Sequence, residues 1–176
     1  MQMIKRPSDI AASGTEHGAQ VALFAYCRIA HYRGFDAADA FCETGVLPPL
    51  PEAHKPVLPA LAWFHAIHNQ GHGDVIRGSR AKTEGVVSGI SDCFLPFPIS
   101  REPTEINGQT YQVMYAGLYI EMKKLSQKPK RSTSKGGVSE DQAAFGKYAI
   151  SVGYKFKVCY GWIEAVEAIK EYLTKK

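Results

Sequence analysis

The sequence predicts an α/β chain: a leading helix, three strands, a helix, a fourth strand and a closing helix. Three observations carry that order. Ser139-x-x-Gln142 is a capping box with two acids in the first turn, and the helix it opens ends at Gly153. Tyr154 to Tyr160 alternates apolar and polar residues with the period of a strand. Trp162, Ile163, Val166, Ile169 and Leu173 then recur at helical spacing.

The remaining elements follow in order. Ser13 or Thr15 can cap a helix from about Glu16 to Tyr32, with Glu16 and Gln20 on one face and Gly34 as its stop. Residues 35–59 contain a possible short helix, Asp36–Glu43, and a proline-rich stretch that excludes a regular helix or central strand. Leu61 to Ile67 is a candidate first strand, although its periodicity also suits a helix. Turn chemistry over 69–74 leads to a possible short helix at 75–83. Asp92–Phe97 is the second strand and Val113–Lys123 the third, joined by a polar hairpin loop with Asn107-Gly108 at its tip. Residues 125–137, mostly polar and ending in two glycines, form a loop.

A chain of 176 residues, 45% hydrophobic and 22% charged, is one domain's worth and long enough to bury a core. No apolar run approaches the ~20 residues of a membrane span. Met1 to Arg6 lacks a signal-peptide apolar region, so a cytoplasmic location is expected. Cys27, Cys42, Cys93 and Cys159 form no CxxC pair and read as small core hydrophobes. The net charge is only +4, but six basic residues and no acid lie between Lys123 and Lys135. Such a run suits a phosphate-binding surface, and equally a solvated loop.

Chemistry concentrates at Asp92, which opens the apolar run Cys93-Phe94-Leu95, and at Glu121-Met122-Lys123, which ends Leu118-Tyr119-Ile120. On a strand, positions 121 and 123 project to the same side. Two converging carboxylates can hold a hard cation such as Mg²⁺, and a neighbouring ammonium can steer water, which is the constellation of phosphodiester cleavage. A strand-end ion pair uses the same residues.

The surroundings of these residues resemble a known family. Gly85-Val86-Val87-Ser88-Gly89-Ile90-Ser91-Asp92-Cys93-Phe94-Leu95-Pro96 and Gly117-Leu118-Tyr119-Ile120-Glu121-Met122-Lys123-Lys124 are similar to two motifs of the VRR-NUC nucleases, a branch of the PD-(D/E)xK superfamily. Ser139-Glu140-Asp141-Gln142, Gly153-Tyr154 and the run from Glu164 to Leu173 fit its tail. Pro59 to Asn69 resembles a further motif, with His68 in place of the usual proline. Together with Glu16-x-x-x-Gln20, the resemblance covers roughly residues 59–174.

The resemblance implies an α/β restriction-endonuclease-like core, a small mixed sheet flanked by helices in the order α-β-β-β-α-β-α, with residues 35–59 as an insertion in a single domain, 1–176. It also implies a standalone phage or bacterial DNA endonuclease dependent on Mg²⁺ or Mn²⁺. Asp92 and Glu121 would be metal ligands, assisted by the Met122 carbonyl, and Lys123 would face the attacking water or the phosphate. Glu16 would reach the metal-site waters, or else is an ordinary first-turn acid favouring the helix dipole. Gln142 would point at the site while capping its own helix.

Branched DNA such as four-way (Holliday) junctions and a homodimer are further implications, because symmetric junction cleavage needs two sites. Plain duplex as substrate, or a non-catalytic DNA-binding module, are the competing classes. Arg77, Arg80, Lys82, Lys124, Lys128, Lys130, Arg131 and Lys135 would hold the phosphate backbone. His65-x-x-His68-x-x-x-His72 with Asp74 offers a zinc alternative, weakened because positions 65 and 68 face opposite sides of a strand. Tyr115, Tyr119, Tyr154 and Tyr160 suit sheet packing better than base stacking.

Overall fold

In the computed structural model, residues 5–50, 55–67, 85–100, 104–106, 109–112, 114–130 and 136–174 are described. A short helix α1 (Pro7–Ala11), which the sequence pattern did not suggest, precedes α2 (Glu16–Arg33). The Thr15 side chain caps α2 by accepting from the Gly18 N–H, and Gly34 ends it at φ 86°. Helix α3 (Phe35–Thr44) follows. Two points beyond α3 return to α2: His31 Nδ1 meets the Leu58 carbonyl at 2.9 Å, and Arg33 Nε donates to the Pro48 carbonyl at 2.7 Å.

The expected first strand is mostly not a strand. Pro59–Trp63 is a 3-10 turn, and only β1 (His65–Ala66) pairs with the sheet. Proline at the first helical position favours the turn, and the chain extends only where it meets β2 (Cys93–Leu95). The expected third strand is also divided, into β6 (Met114–Tyr115) and β7 (Leu118–Lys123). Gly117 lies between them, where any Cβ would come within 2.7 Å of the Phe94 ring. Strand β3 (Ile99–Ser100) pairs with β6 in a two-stranded extension. Strands β4 (Thr104–Ile106) and β5 (Gln109–Tyr111) form the expected hairpin, its register closing at Ile106 and Gln109. The expected helix at 75–83 lies outside the described residues.

The main sheet has the order β1-β2-β7-β8, with β8 spanning Lys155–Tyr160. β1, β2 and β7 pair antiparallel, whereas β7 and β8 are parallel. A parallel pair needs a crossover, and α4 (Glu140–Ser151) provides it. Helix α5 (Trp162–Thr174) closes the fold. On one face, Cys93, Leu95, Leu118, Ile120 and Met122 join a buried cluster with Leu23 and Tyr26 of α2 and Ile169 and Tyr172 of α5. The other face carries Phe94 stacked on Tyr119, with Phe145 of α4 set edge-on against Tyr119.

The lysines of β8 account for its alternation. Lys155 ion-pairs with Glu171 of α5 at 3.1 Å and Lys157 is exposed, while Phe156 packs against Phe145. Charged side chains on an edge strand also discourage pairing with a further strand. Cys27, Cys93 and Cys159 are buried free thiols, as expected for core residues, and burial raises the pKa of each. Among the described residues no helix is long and apolar enough to cross a membrane.

Candidate active site

The register of β2 against β7 builds the site. Cys93 opposes Ile120, so the next position outward sets Asp92 across from Glu121, on the same side as Phe94, Tyr119 and Lys123. The β2 ladder stops at Cys93, and the Asp92 side chain continues it: Oδ2 accepts the Met122 N–H at 2.7 Å. The Gly117 and Lys123 carbonyls accept from Lys155 and Gly161 on the β8 side. Alternation therefore turns the backbone of Met122 the other way, toward Asp92.

Glu121 is fully buried, and its Oε1 takes two donors. Lys123 Nζ lies 2.8 Å away, and Gln142 Nε2 donates to the same oxygen. Its Oε2 is buried and has no hydrogen-bond partner among the described residues. Burial pushes the Glu121 pKa up to about 7 against the pull of Lys123, and the negative charges of Asp92 and Glu16 push the same way.

Gln142 holds both positions foreseen for it. Its Oε1 accepts the Ser139 N–H at 3.0 Å, closing the capping box, while its amide NH₂ reaches Glu121. An amide has one acceptor end and one donor end, so the two roles are compatible. The loop before Asp92 is seated on the same helix. Gly89, at φ +82°, lies so close to Asp141 that a Cβ would come within 2.5 Å of the Asp141 Cβ, and Ser88 Oγ donates to Asp141 Oδ2 at 3.2 Å.

Glu16, half-buried in the first turn of α2, belongs to the helix on the opposite face, where Gln20 Nε2 donates to Cys93 Sγ at 3.7 Å. It acts on Glu121 through its charge. Among the described residues no three His, Cys, Asp or Glu side chains gather closely enough to hold one ion. Sequence reasoning missed Ser91 and Gly89. Ser91 Oγ is fully buried beside Asp92 without a hydrogen-bond partner among the described residues. Both residues lie in the Gly85–Pro96 motif, where the small residues Ser88, Gly89 and Ser91 just before Asp92 were the available signal.

The basic residues are less uniform than their spacing suggests. Lys124 and Lys130 are exposed, but Lys128 Nζ is 2.7 Å from Glu164 Oε1. Arg77, Arg80, Lys82, Arg131 and Lys135 lie outside the described residues, as do His68, His72 and Asp74. His65 is exposed, with Nδ1 on the Trp63 carbonyl at 2.8 Å. Tyr119 and Tyr154 pack against Phe94, and Tyr115 against Tyr172, as sheet-packing residues do.

No family model and no curated protein matches this chain. A solved structure described as a "VRR_NUC domain protein" does match, with a TM-score of 0.51 and 18% sequence identity, over 90% of this chain and 88% of that one. The likeness establishes the fold: a small mixed sheet flanked by helices, of the kind the resemblance in the motifs implied.

Proposed function

We propose that this protein is a metal-dependent deoxyribonuclease that hydrolyses phosphodiester bonds. The observation that carries the reading is the meeting of Asp92, Glu121, Lys123 and Gln142 at one sheet end, with Glu121 Oε2 buried and unpartnered among the described residues. The shared VRR_NUC fold supports it.

A buried carboxylate oxygen without a donor is costly, and a hard cation satisfies it. Asp92, Glu121 and the Met122 carbonyl would hold Mg²⁺ or Mn²⁺, with Glu16 acting through a water. The ion would supply charge neutralisation at the scissile phosphate and acidify water. The chain's own residues do the positioning. Met122 N–H fixes the Asp92 carboxylate, and Gln142 with Lys123 fixes Glu121 through Oε1, leaving Oε2 for binding. Lys123, largely withdrawn from solvent, presents a positive charge where negative charge grows on the phosphoryl oxygens. Water adds to phosphorus, the P–O ester bond breaks, and the leaving oxygen takes up a proton.

Branched DNA, such as a four-way junction, is the proposed substrate, cut by a homodimer with one site per strand. Exposed Lys124 and Lys130 would contact the phosphates along with the lysines and arginines at 77, 80, 82, 131 and 135. The reading is tested with plain duplex, flap and four-way junction, each with Mg²⁺, with Mn²⁺ and with EDTA. Cleavage should require the metal and favour the junction. Full activity in EDTA would remove the metal assignment, equal rates on all three would point to a duplex-cutting repair or restriction type, and binding without cleavage to a non-catalytic module.

A further inference from the structure

Beside Lys123 the sheet end opens into a cleft of about 350 Å³ that Asp92, Glu121 and Gln142 do not line. Thr15, the cap of α2, Ala19 within α2, Leu125 beyond β7, and Tyr160, Trp162 and Ile163 around the β8–α5 turn bound it. Its size falls in the range of small-molecule sites, roughly 300–1,000 Å³. Leu125 and Ile163 are 68% and 59% exposed, an apolar surface that gains free energy when covered.

The rim carries the exposed cation Lys124; its neighbour Lys123 also borders the cleft, but its ammonium is ion-paired with Glu121 at 2.8 Å. The acid on the rim, Glu164, is compensated by Lys128 at 2.7 Å. An apolar floor continuous with a cationic edge matches a flat base attached to a phosphate. We propose that the cleft receives a nucleobase of the cleaved strand, turned out of its stack, while the adjoining phosphate lies toward Lys124. This deepens the nuclease reading and rests on it. A base inside an intact duplex must first be unstacked, whereas one at a branch point is already loosened, so the cleft would discriminate in favour of branched or frayed DNA.

The test uses Trp162, which lines the cleft. Trp63→Phe removes the only other tryptophan, itself 75% exposed and outside the cleft. Quenching of Trp162 is titrated with thymidine 5′-monophosphate and with 2-deoxyribose 5-phosphate, both in EDTA. The nucleotide should bind at least about tenfold more tightly, as base burial against apolar and aromatic walls predicts. Leu125→Asp with Ile163→Asp, shown folded by its thermal melt, should erase the difference.

Equal affinities for the two compounds, or a difference that survives the double replacement, overturn the proposal. So does a double variant that changes its sedimentation while keeping the nucleotide preference, because the cleft would then seat a second copy. Junction cleavage with Mg²⁺ is measured separately on the unaltered protein. No cleavage with an intact nucleotide preference would reject the nuclease reading and leave the base site standing.

Discussion

Gln142 of α4 donates its side-chain amide to Glu121 Oε1 on β7, and its carbonyl end is held by the Ser139 N–H. The capping box therefore orients a group of the candidate site. Gln142→Ala should lower kcat by roughly 10- to 100-fold, as loss of a preorganised donor does. Ser139→Ala should cost about 1 kcal/mol of stability through the lost cap, with a far smaller effect on turnover, since the Ser139 N–H remains. Paired melts and rate measurements check the contrast. Equal activity losses in both variants would mean that Gln142 matters only as a helix cap.

Lys123 sits 2.8 Å from Glu121 and is almost wholly buried. Replacing it by alanine should reduce turnover by about 10²-fold. DNA affinity should change little, because other basic residues remain. Single-turnover rates at saturation, set against binding titrations, separate the two effects. Weak binding with a normal saturated rate would make Lys123 a phosphate contact only.

Glu121 gives the metal-free protein a pH dependence of defined sign. Its folded pKa is raised from 4.5 to about 7, chiefly by burial. The folded state therefore keeps a proton that the unfolded state releases, so this contribution is complete below 4.5 and is lost as pH rises through about 7. In EDTA, the melting temperature of the wild type relative to Glu121→Gln should fall between these limits. Mg²⁺ should lessen the fall by stabilising the carboxylate. A difference that stays flat across this window contradicts the burial argument.

Gly89 is required twice, for its positive φ and for its approach to Asp141. Gly89→Ala should destabilise the fold by roughly 1–3 kcal/mol. It should also lower activity by separating the Asp92 loop from the helix that carries Gln142. Thermal melts and cleavage rates measure both. An unchanged rate on folded protein would show that the contact only stabilises.

The ion pair between Lys128 and Glu164 divides the basic loop. Lys130→Ala should reduce the salt slope of DNA binding by about 0.9 on duplex. Lys128→Ala should reduce it less, and Glu164→Gln should strengthen binding by releasing Lys128. Affinities measured over a salt series decide the matter. Equal slopes for the two lysine variants would mean that DNA displaces Glu164.

The sequence by itself determined the elements whose signals are contiguous. Ser139 and Gln142 specify the start of α4, the apolar spacing from Trp162 to Leu173 specifies α5, and strand parity sets Glu121 and Lys123 on one side of β7. The resemblance carried by Gly85–Pro96 and Gly117–Lys124 also led to the correct fold. Tertiary structure decided everything that depends on distant segments. Pro59–Trp63 coils into a 3-10 turn because the chain extends only where β2 offers hydrogen bonds. Lys128 is neutralised by a glutamate on α5, which no local charge pattern shows. The contact of Asp92 with Met122 and that of Gln142 with Glu121 join residues 30 and 21 positions apart. The rise in the Glu121 pKa arises because packing removes water from it, and exclusion of water is a property of the assembled sheet and helices, not of any stretch of sequence.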